Sequence, residues 1–331
     1  MSTRRRAFAA LALLALSACA GTATMAPPPA TLATGWTATA AATRSVGLGL
    51  PGGARLADGV RFAGGLELVA DAASPLHSLS DFKLIGDAGF VSVSDSGDLV
   101  QGRLLLDAGG GLTGVSGLRH RRLTLANGHP IVDKADGDAE GLMVDADGGL
   151  LVSFERDHRI WRYGPVDQPR PRPTAVARPA FDFTLNDGME GVSAAPRGWR
   201  VAGENGGVWD CAPTGCRVVT PPPATPLADS DYRITGMDRE PSGDGFFVVQ
   251  RSYSPPVDAR ARIRRMAADG ALGPVLVELK LPGTTDNFEG IAATARADGV
   301  RLYILSDDNG NRAQRTLLLA FDVGKAVGIR R

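Results

Sequence analysis

Short runs of apolar residues, some alternating with small or polar ones, recur along the chain from about residue 55 to residue 325. Examples are Phe90-Val-Ser-Val-Ser94, Leu150-Leu-Val-Ser-Phe154 and Phe246-Phe-Val-Val-Gln250, and glycine- and aspartate-rich turns separate such runs. Runs of this length between turn residues are typical of β-strands. The region shows no convincing amphipathic helix pattern. The pattern therefore predicts an all-β fold.

A longer repeat is superimposed on these runs. Glu140, Glu190 and Glu289 are each followed by glycine and an apolar residue, and then by a turn and a short apolar run. Weaker copies begin at Asp81 and Asp238, so the steps between successive copies are 59, 50, 48 and 51 residues. A period near fifty residues, built from short strands, suits one four-stranded blade of a β-propeller. These copies account for five blades.

A sixth blade is expected from residues 60–70, which would pair with the C-terminal strand at residues 316–323 and close the ring. Closure matters because it removes exposed sheet edges. A sandwich or a pair of sheets would fit the strand content but would not explain the regular return of Glu-Gly plus an apolar residue. We therefore predict a single six-bladed β-propeller over residues 51–331, and a monomer.

The first eighteen residues have the pattern of an export signal. Residues 4–6 are arginines and precede an unbroken small and apolar run from Ala7 to Leu16, which is the order of the charged and apolar regions of a secretory signal. That run is about half as long as the roughly twenty residues that a membrane-spanning helix needs. Leu16-Ser-Ala-Cys19 resembles the bacterial lipobox. We therefore predict cleavage before Cys19 and a lipid on its sulfur.

The composition of the segment after the signal indicates how the folded domain is attached to the membrane. Residues 19–50 are rich in Ala, Thr and Pro, a composition typical of a disordered tether. Ala20, rather than Asp, after the lipidated cysteine favours sorting to the outer membrane, facing the periplasm. Arg5-Arg6-Ala7-Phe8 also partly matches a twin-arginine signal. The export route, Sec or twin-arginine, stays open.

Charge and cysteine content narrow the function classes. The chain has 36 basic and 36 acidic residues, and removal of the three signal arginines leaves 33 basic against 36 acidic. A mildly acidic protein is not expected to bind nucleic acid. Cys211 and Cys216 flank a Pro/Gly turn, and in an oxidising compartment a disulfide is the favoured interpretation. A metal site would need a second cysteine or histidine pair.

The acidic residues of the repeats are expected to converge. In a propeller the innermost strand of each blade lines the central channel, so equivalent positions meet near one channel mouth. If the Glu-Gly copies open inner strands, the residues that gather there are Asp81, Glu140, Glu190 and Glu289. The ends of the second strands would add four more acids, with Arg251 at that position in the fourth repeat: Asp95, Glu155, Glu204 and Asp307.

Crowded carboxylates repel one another and have raised pKa values unless something compensates their charge. Bound cations, arginine partners or hydrogen bonds to glycine amides would each do so. Oxygen-rich clusters of this kind suit Ca²⁺, which takes six to eight oxygen ligands. A purely structural role, in which each acid fixes its own blade, remains an equal alternative.

Three motifs carry a resemblance to a known family: Phe90-Val-Ser-Val-Ser-Asp95, Asp138-Ala-Glu-Gly-Leu142 with Glu155, and Asn287-Phe-Glu-Gly-Ile291 with Asp307. In this order they resemble the phytase-like family, described as having esterase-like activity, over roughly residues 55 to 325. The chain departs from the family pattern at Ser80-Asp81-Phe82. The resemblance implies an exported β-propeller with phosphoesterase or esterase activity and calcium held by acids. By position, the implied metal ligands are Asp95, Glu140, Glu155, Glu190, Glu204, Glu289 and Asp307.

These observations lead to one main expectation and one alternative. The first is a Ca²⁺-assisted hydrolase of small phosphate esters or simple esters, in which the metal polarises the ester and lowers the pKa of the attacking water. The catalytic residues would be Glu140, Glu190, Glu289 and Arg251. The alternative is a non-catalytic propeller of the cell envelope that binds a ligand or a partner protein, with the acids supporting the blades.

Overall fold

The computed structural model describes residues 35–325. The predicted signal peptide at residues 1–18, the twin-arginine-like motif and the lipid site at Cys19 lie outside the described residues. The described part of the chain contains 23 strands and one short helix. None of its helices has the length and apolar character needed to cross a membrane.

Four strands precede the first repeat: β1 (Thr37–Ala38), β2 (Ala42–Ser45), β3 (Ala54–Leu56) and β4 (Val60–Val69). The first repeat forms β5 (Leu79–Ile85), β6 (Gly89–Ser94), β7 (Asp98–Leu106) and β8 (Leu112–Arg122). The second follows helix α1 (Lys134–Gly137) and forms β9 (Ala139–Val144), β10 (Gly149–Phe154), β11 (Arg159–Pro165) and β12 (Thr174–Ala175). The third forms β13 (Gly191–Ala195), β14 (Gly198–Ala202), β15 (Val208–Ala212) and β16 (Gly215–Thr220). The fourth forms β17 (Arg233–Arg239), β18 (Phe246–Ser254), β19 (Asp258–Met266) and β20 (Leu272–Lys280), and the last forms β21 (Asn287–Arg296), β22 (Gly299–Asp307) and β23 (Thr316–Gly324).

The repeats fold into five antiparallel sheets, which are the blades of a propeller. The innermost strands β5, β9, β13, β17 and β21 neighbour one another in a ring, with β21 beside β5. The predicted propeller is confirmed, but the predicted sixth blade is wrong. β4 does pair with β23, with Leu66 opposite Leu318. Because the last repeat supplies only three strands, β4 is the fourth strand of the fifth blade rather than part of a separate one.

Strands from the predicted tether belong to the propeller. β1 pairs with the outer strand β8 of the first blade, and β2 pairs with β4 in the fifth. Gly49 forms a bridge with Gly283. Residues 37–49, which fall within the range predicted for the tether, thus include segments whose backbone is paired with two blades and with the loop before β21.

The hydrophobic core consists of five clusters, one between each pair of neighbouring blades. In the cluster between the first and second blades, Val91 and Val93 pack with Leu150 and Val152. Because each blade is covered on both faces, every residue of the second strands β6 and β10 is buried. This explains why the second strands read as nearly continuous apolar and small residues rather than as strict alternation.

Hydroxyl side chains on buried strands form hydrogen bonds between neighbouring blades. The Ser153 hydroxyl on β10 donates to the carbonyl of Met189, 2.6 Å away at the start of the third blade. The hydroxyl of Thr235 on β17 likewise donates to the carbonyl of Phe288 in the fifth blade.

At the outer edge of the third blade, Cys211 and Cys216 are directly paired on β15 and β16 and are joined by a disulfide.

Candidate functional site

At one face of the propeller, the inner strands begin with a shared irregularity in their pairing with the second strands. In four blades a residue bulges out of register before the second strand resumes pairing: Ser80, Glu140, Thr235 and Glu289. In the third blade Glu190 holds the same place, immediately before β13. A bulge re-aims a side chain out of the sheet. The repeated glutamates therefore stand together where the channel opens.

The glycine that follows each glutamate is required by the close approach of the inner strands. A Cβ atom on Gly141 would lie 2.5 Å from the carbonyl oxygen of Glu190, and one on Gly290 would lie 2.8 Å from the backbone nitrogen of Phe82. Neither distance can be tolerated by a side chain. The Glu-Gly repeat thus combines a side chain for the channel mouth with a backbone contact between blades.

Asp81 does not belong to the mouth, contrary to the sequence prediction. It occupies the position that is glycine in the other four blades, and Ser80 takes the bulge position. The Asp81 carboxylate is fully buried and accepts hydrogen bonds from the backbone N–H of Leu142 and from Lys83 Nζ. Burial raises its pKa to about 6, against the opposing charge of Lys83. The prediction that aligned Asp81 with the glutamates of the other repeats is therefore wrong by one residue.

The ends of the second strands add further charged residues at the same level. Asp95, Glu155 and Glu204 each donate their backbone N–H to the segment that precedes the inner strand of the same blade. Arg251 and Asp307 hold the equivalent places opposite the first residues of β17 and β21. The structure therefore brings these five predicted residues to the same face of the propeller as Glu140, Glu190 and Glu289.

A single cavity of about 150 Å³ collects these side chains. Its lining contains eight carboxylates, three cations and two amides: Asp95, Asp138, Glu140, Glu155, Glu190, Glu204, Glu289, Asp307, Lys134, Arg156, Arg251, Asn186 and Asn309. All seven predicted metal ligands are among them. Sequence reasoning assigned no role to Asp138, Lys134, Asn186 or Asn309. Asp138 had a signal, since it opens the Asp-Ala-Glu-Gly motif, whereas Lys134 and Asn186 lie in connections outside the repeat pattern.

Three of the carboxylates are close enough to share one ligand. Asp138, Glu140 and Glu155 offer oxygen atoms that all lie within 4.8 Å of one another. Asp138 is 2% exposed, and its Oδ2 pairs with Nε of Arg156. Its Oδ1 accepts no hydrogen bond from the described residues, and Lys134 Nζ lies 3.4 Å from it. This side of the cavity has more buried negative charge than its cations offset.

The opposite side of the cavity is neutralised by arginines. Arg251 Nη2 donates to Glu204 Oε1 at 2.9 Å, and Arg251 Nε lies 3.7 Å from Glu289 Oε1. Arg233 Nη2 also reaches Glu204 Oε1, at 3.1 Å. Asn287 donates its side-chain N–H to Glu289 Oε1 at 2.8 Å. Glu204 and Glu289 thus have arginine partners. In the triad, Asp138 pairs with Arg156 and Lys134, whereas Glu140 and Glu155 form no ion pair among the described residues.

Burial and mutual repulsion strongly raise the pKa values of the most enclosed carboxyl groups. The pKa of Glu140 lies well above its usual range because the group is buried and then because it faces other acids, first Glu190. Burial, followed by the charge of Glu204, does the same to the pKa of Glu190. Burial and the charge of Glu289 raise the pKa of Asp307 in the same way. Burial and neighbouring negative charge thus favour the protonated form of all three groups.

Two further glutamates titrate near neutrality. Burial, with the charge of Asp138 next in importance, raises the pKa of Glu155 to about 8. Burial raises the pKa of Glu289 to about 7, although the charge of Arg251 opposes it. Shifts of this kind are typical of functional sites. A cation placed among the carboxylates would reverse them, because it stabilises the ionised form.

Comparisons with known proteins agree with this architecture. A family model described as "Phytase-like: Esterase-like activity of phytase" matches residues 74–310, more than two thirds of the chain. No curated protein matches the sequence.

Similar solved structures share little sequence. The major allergen Mala s 1 of Malassezia sympodialis is 12% identical, with a TM-score of 0.42 and coverage of 80% of this chain and 90% of that one. A PQQ-bound aldose sugar dehydrogenase from Streptomyces coelicolor is 11% identical, with a TM-score of 0.40 and coverage of 80% and 98%. A Bacteroides thetaiotaomicron protein of unknown function is 11% identical, with a TM-score of 0.45 and coverage of 80% and 68%. Likenesses this distant carry no argument about activity.

Proposed function

This chain belongs to the phytase-like family, and from that premise we propose that its channel mouth binds a divalent cation, Ca²⁺ by ligand chemistry, and hydrolyses small phosphate esters or simple esters. The observation that supports the proposal most is the triad of Asp138, Glu140 and Glu155, whose oxygens lie within 4.8 Å of one another. Calcium takes its ligands from oxygen, and carboxylates are its commonest protein donors.

The donor set of the mouth fits a divalent cation. Eight carboxylates face three cationic side chains around the cavity, and Asp138 Oδ1 is buried without a hydrogen bond. Glu140 and Glu155 form no ion pair among the described residues, and an enclosed carboxylate without a counter-charge is costly, so a bound cation would stabilise the site. The triad would hold that ion, with Glu190 as a further carboxylate of the same cavity. When bound, a divalent cation polarises an ester or phosphoryl oxygen and lowers the pKa of water.

The residues around the triad have distinct proposed roles. Arg251 is fixed by Glu204 and Glu289 and would orient the anionic end of a phosphate ester, with Arg156 on the other side of the cavity. The pKa of Glu190 is raised by burial and by neighbouring acids, which favours its protonated form. Its protonated carboxyl group can therefore donate to the departing alcohol oxygen. Glu289, with a pKa of about 7, can exchange a proton in the same range.

A second candidate function is favoured by the arginine contacts. Because Arg251 and Arg233 already neutralise Glu204, part of the acidic ring has a structural explanation. The mouth would then be the binding surface of a non-catalytic propeller of the cell envelope. This alternative requires no hydrolysis and predicts that ligand binding survives removal of divalent cations.

A panel of hydrolysis assays tests the proposal. Purified protein should hydrolyse p-nitrophenyl phosphate, p-nitrophenyl acetate or phytate in Ca²⁺ and lose that activity in EDTA. Glu140→Gln should abolish it. Asp298→Asn is the control, because Asp298 is 63% exposed and lies at the opposite end of the inner strands. Protein that shows no chelator-sensitive hydrolysis, yet binds a ligand in EDTA, would support the non-catalytic propeller instead.

We also propose that the protein is exported and held in the outer membrane by lipid on Cys19, with a monomeric propeller facing the periplasm. The support is the arginine-led apolar run and the lipobox-like Leu16-Ser-Ala-Cys19. Replacement of Cys19 by alanine should move the protein from the membrane fraction to the soluble periplasmic fraction. An unchanged membrane fraction would contradict the lipid anchor.

A further inference from the structure

The chain between β8 and β9 brings a lysine over the edge of the cavity. This segment contains α1, whose first turn is capped by the Asp133 side chain, which accepts a hydrogen bond from the N–H of Ala135. Lys134, the first residue of α1, lines the cavity with the eight carboxylates. It is supplied by a connection between blades rather than by a repeat position.

Lys134 contacts two of these acids. Its Nζ lies 2.6 Å from Asp95 Oδ2 and 3.4 Å from Asp138 Oδ1. Burial opposes the ammonium form, but the hydrogen bond to Asp95 and the charges of Asp95, Asp138 and Glu140 outweigh it, so the pKa of Lys134 is raised. The side chain therefore carries its charge throughout the neutral range.

Lys134 differs from the other cations of the cavity in its exposure. Its side chain is 52% exposed, against 35% for Arg156 and 27% for Arg251. Lysine presents a compact charge on a flexible four-carbon stem, in contrast to the fixed fork of arginine. The ammonium thus resembles a small cation attached to the wall of the cavity by a chain.

We propose that Lys134 is a tethered counter-ion: its ammonium occupies the place of a second cation between Asp95 and Asp138 and limits the mouth to one divalent ion. The proposal rests on the proposed function, because it assumes a divalent ion at the triad. Asp138 belongs to both positions, since one of its carboxylate oxygens lies within 4.8 Å of oxygens of Glu140 and Glu155, and its buried Oδ1 lies 3.4 Å from Lys134 Nζ. With Lys134 in place, the carboxylates beside it are already neutralised.

Removal of the ammonium changes the charge of this position. Asp95 would lose its only ion-pair partner among the described residues, and Asp138 would keep only Arg156. Opposite charges attract one another strongly at ion-pair distances near a protein surface. Carboxylates left without a counter-ion therefore attract a cation from solution. The position vacated by Lys134 should therefore take up a second divalent ion.

Stoichiometry measures this directly. Calcium bound to purified protein would be counted by isothermal titration calorimetry and by elemental analysis after desalting, for wild type, Lys134→Gln and Lys134→Arg. We expect one Ca²⁺ for wild type, two for Lys134→Gln and one for Lys134→Arg, which keeps the charge. Circular dichroism melts in EDTA would verify that all three proteins fold.

The outcomes separate this inference from the proposed function. One Ca²⁺ in both wild type and Lys134→Gln would overturn the counter-ion role and leave the cation site standing. No Ca²⁺ in any of the three proteins would overturn both. Two ions in Lys134→Arg would also contradict the inference, because that variant retains a cation at the same position.

Discussion

Lys83 Nζ lies 2.6 Å from both carboxylate oxygens of Asp81, and the two side chains are enclosed in the channel below the mouth. Lys83 also donates to the carbonyl of Ile291 in the fifth blade, and Asp81 accepts from Leu142 in the second. One ion pair of the first blade thus contacts the inner strands of both neighbouring blades.

Removal of one partner of this pair should destabilise the propeller. Lys83→Met leaves the Asp81 carboxylate buried beside a neutral side chain, and breaking a buried pair in this way costs about 3–5 kcal/mol. The free energy of unfolding, measured in urea at pH 7, should fall by that amount. Lys83→Met combined with Asp81→Asn should recover part of the loss, because the carboxylate of Asp81 is removed together with its partner. A change below about 1 kcal/mol in the single variant would show that the pair contributes little.

The inner-strand glycines should be intolerant of any side chain. A Cβ at position 236 would lie 2.0 Å from the carbonyl of Glu289, so Gly236→Ala must push the fourth and fifth blades apart. Overpacking of this kind costs about 1–3 kcal/mol. Gly47→Ala is the matched control, since nothing lies within 4 Å of its Cβ. Equal melting temperatures for the two variants would contradict the close approach.

The blade repeat made much of this arrangement predictable. Glu140, Glu190 and Glu289 could be aligned because each is followed by the same glycine, and that glycine is imposed by backbone contact between blades. The first blade escaped the pattern because Asp81 takes the glycine position and Ser80 the bulge. A single-residue bulge shifts the register of side chains without leaving a clear mark in composition.

Other features could not be read from the sequence for physical reasons. The pairing of β4 with the C-terminal strand was predicted correctly, but the number of blades depends on whether that pair forms a sheet of its own or joins the last repeat, which supplies only three strands. Asp138 and Lys134 reach the cavity from a connection whose path is set by tertiary contacts, among them those of Lys134 with Asp95 and Asp138. Which carboxylates of the mouth have an arginine partner depends on where the Arg251 side chain points, and the repeat alone does not fix that direction.

Stability without divalent cations should fall as the pH rises. Glu155 and Glu289 have folded-state pKa values of about 8 and about 7, against an ordinary value of 4.5. Between these values the folded protein binds more protons than the unfolded chain, so the free energy of unfolding decreases with pH. The decrease should run from about pH 4.5 to about pH 8, at up to about 1.4 kcal/mol per pH unit for each such group.

Urea unfolding at pH 5, 6, 7 and 8 in EDTA would measure this slope. Addition of Ca²⁺ should reduce it, because a bound cation stabilises the ionised carboxylates and lowers their pKa values. A stability that rises with pH in EDTA, or a slope unaffected by calcium, would contradict the proposed charge state of the mouth.

Arg251 should discriminate between charged and neutral substrates. Arg251→Gln removes the cation that would face an anionic group, and a hydrogen bond to a charged group contributes about 1.5–3 kcal/mol, or roughly 10- to 100-fold in KM. KM for p-nitrophenyl phosphate should rise by that factor, and KM for the neutral p-nitrophenyl acetate should change less. Arg55→Gln serves as the control, because the Arg55 side chain is 70% exposed and pairs with Glu278 away from the mouth. Equal changes for both esters would assign Arg251 to structure alone.

The central claim is that a divalent cation binds the carboxylates of Asp138, Glu140 and Glu155. The most direct measurement is the anomalous difference density of crystals grown in millimolar Ca²⁺. The account predicts a peak in the channel mouth about 2.3–2.6 Å from carboxylate oxygens of these three residues, the usual calcium–oxygen distance. A mouth with no anomalous peak under these conditions would contradict it.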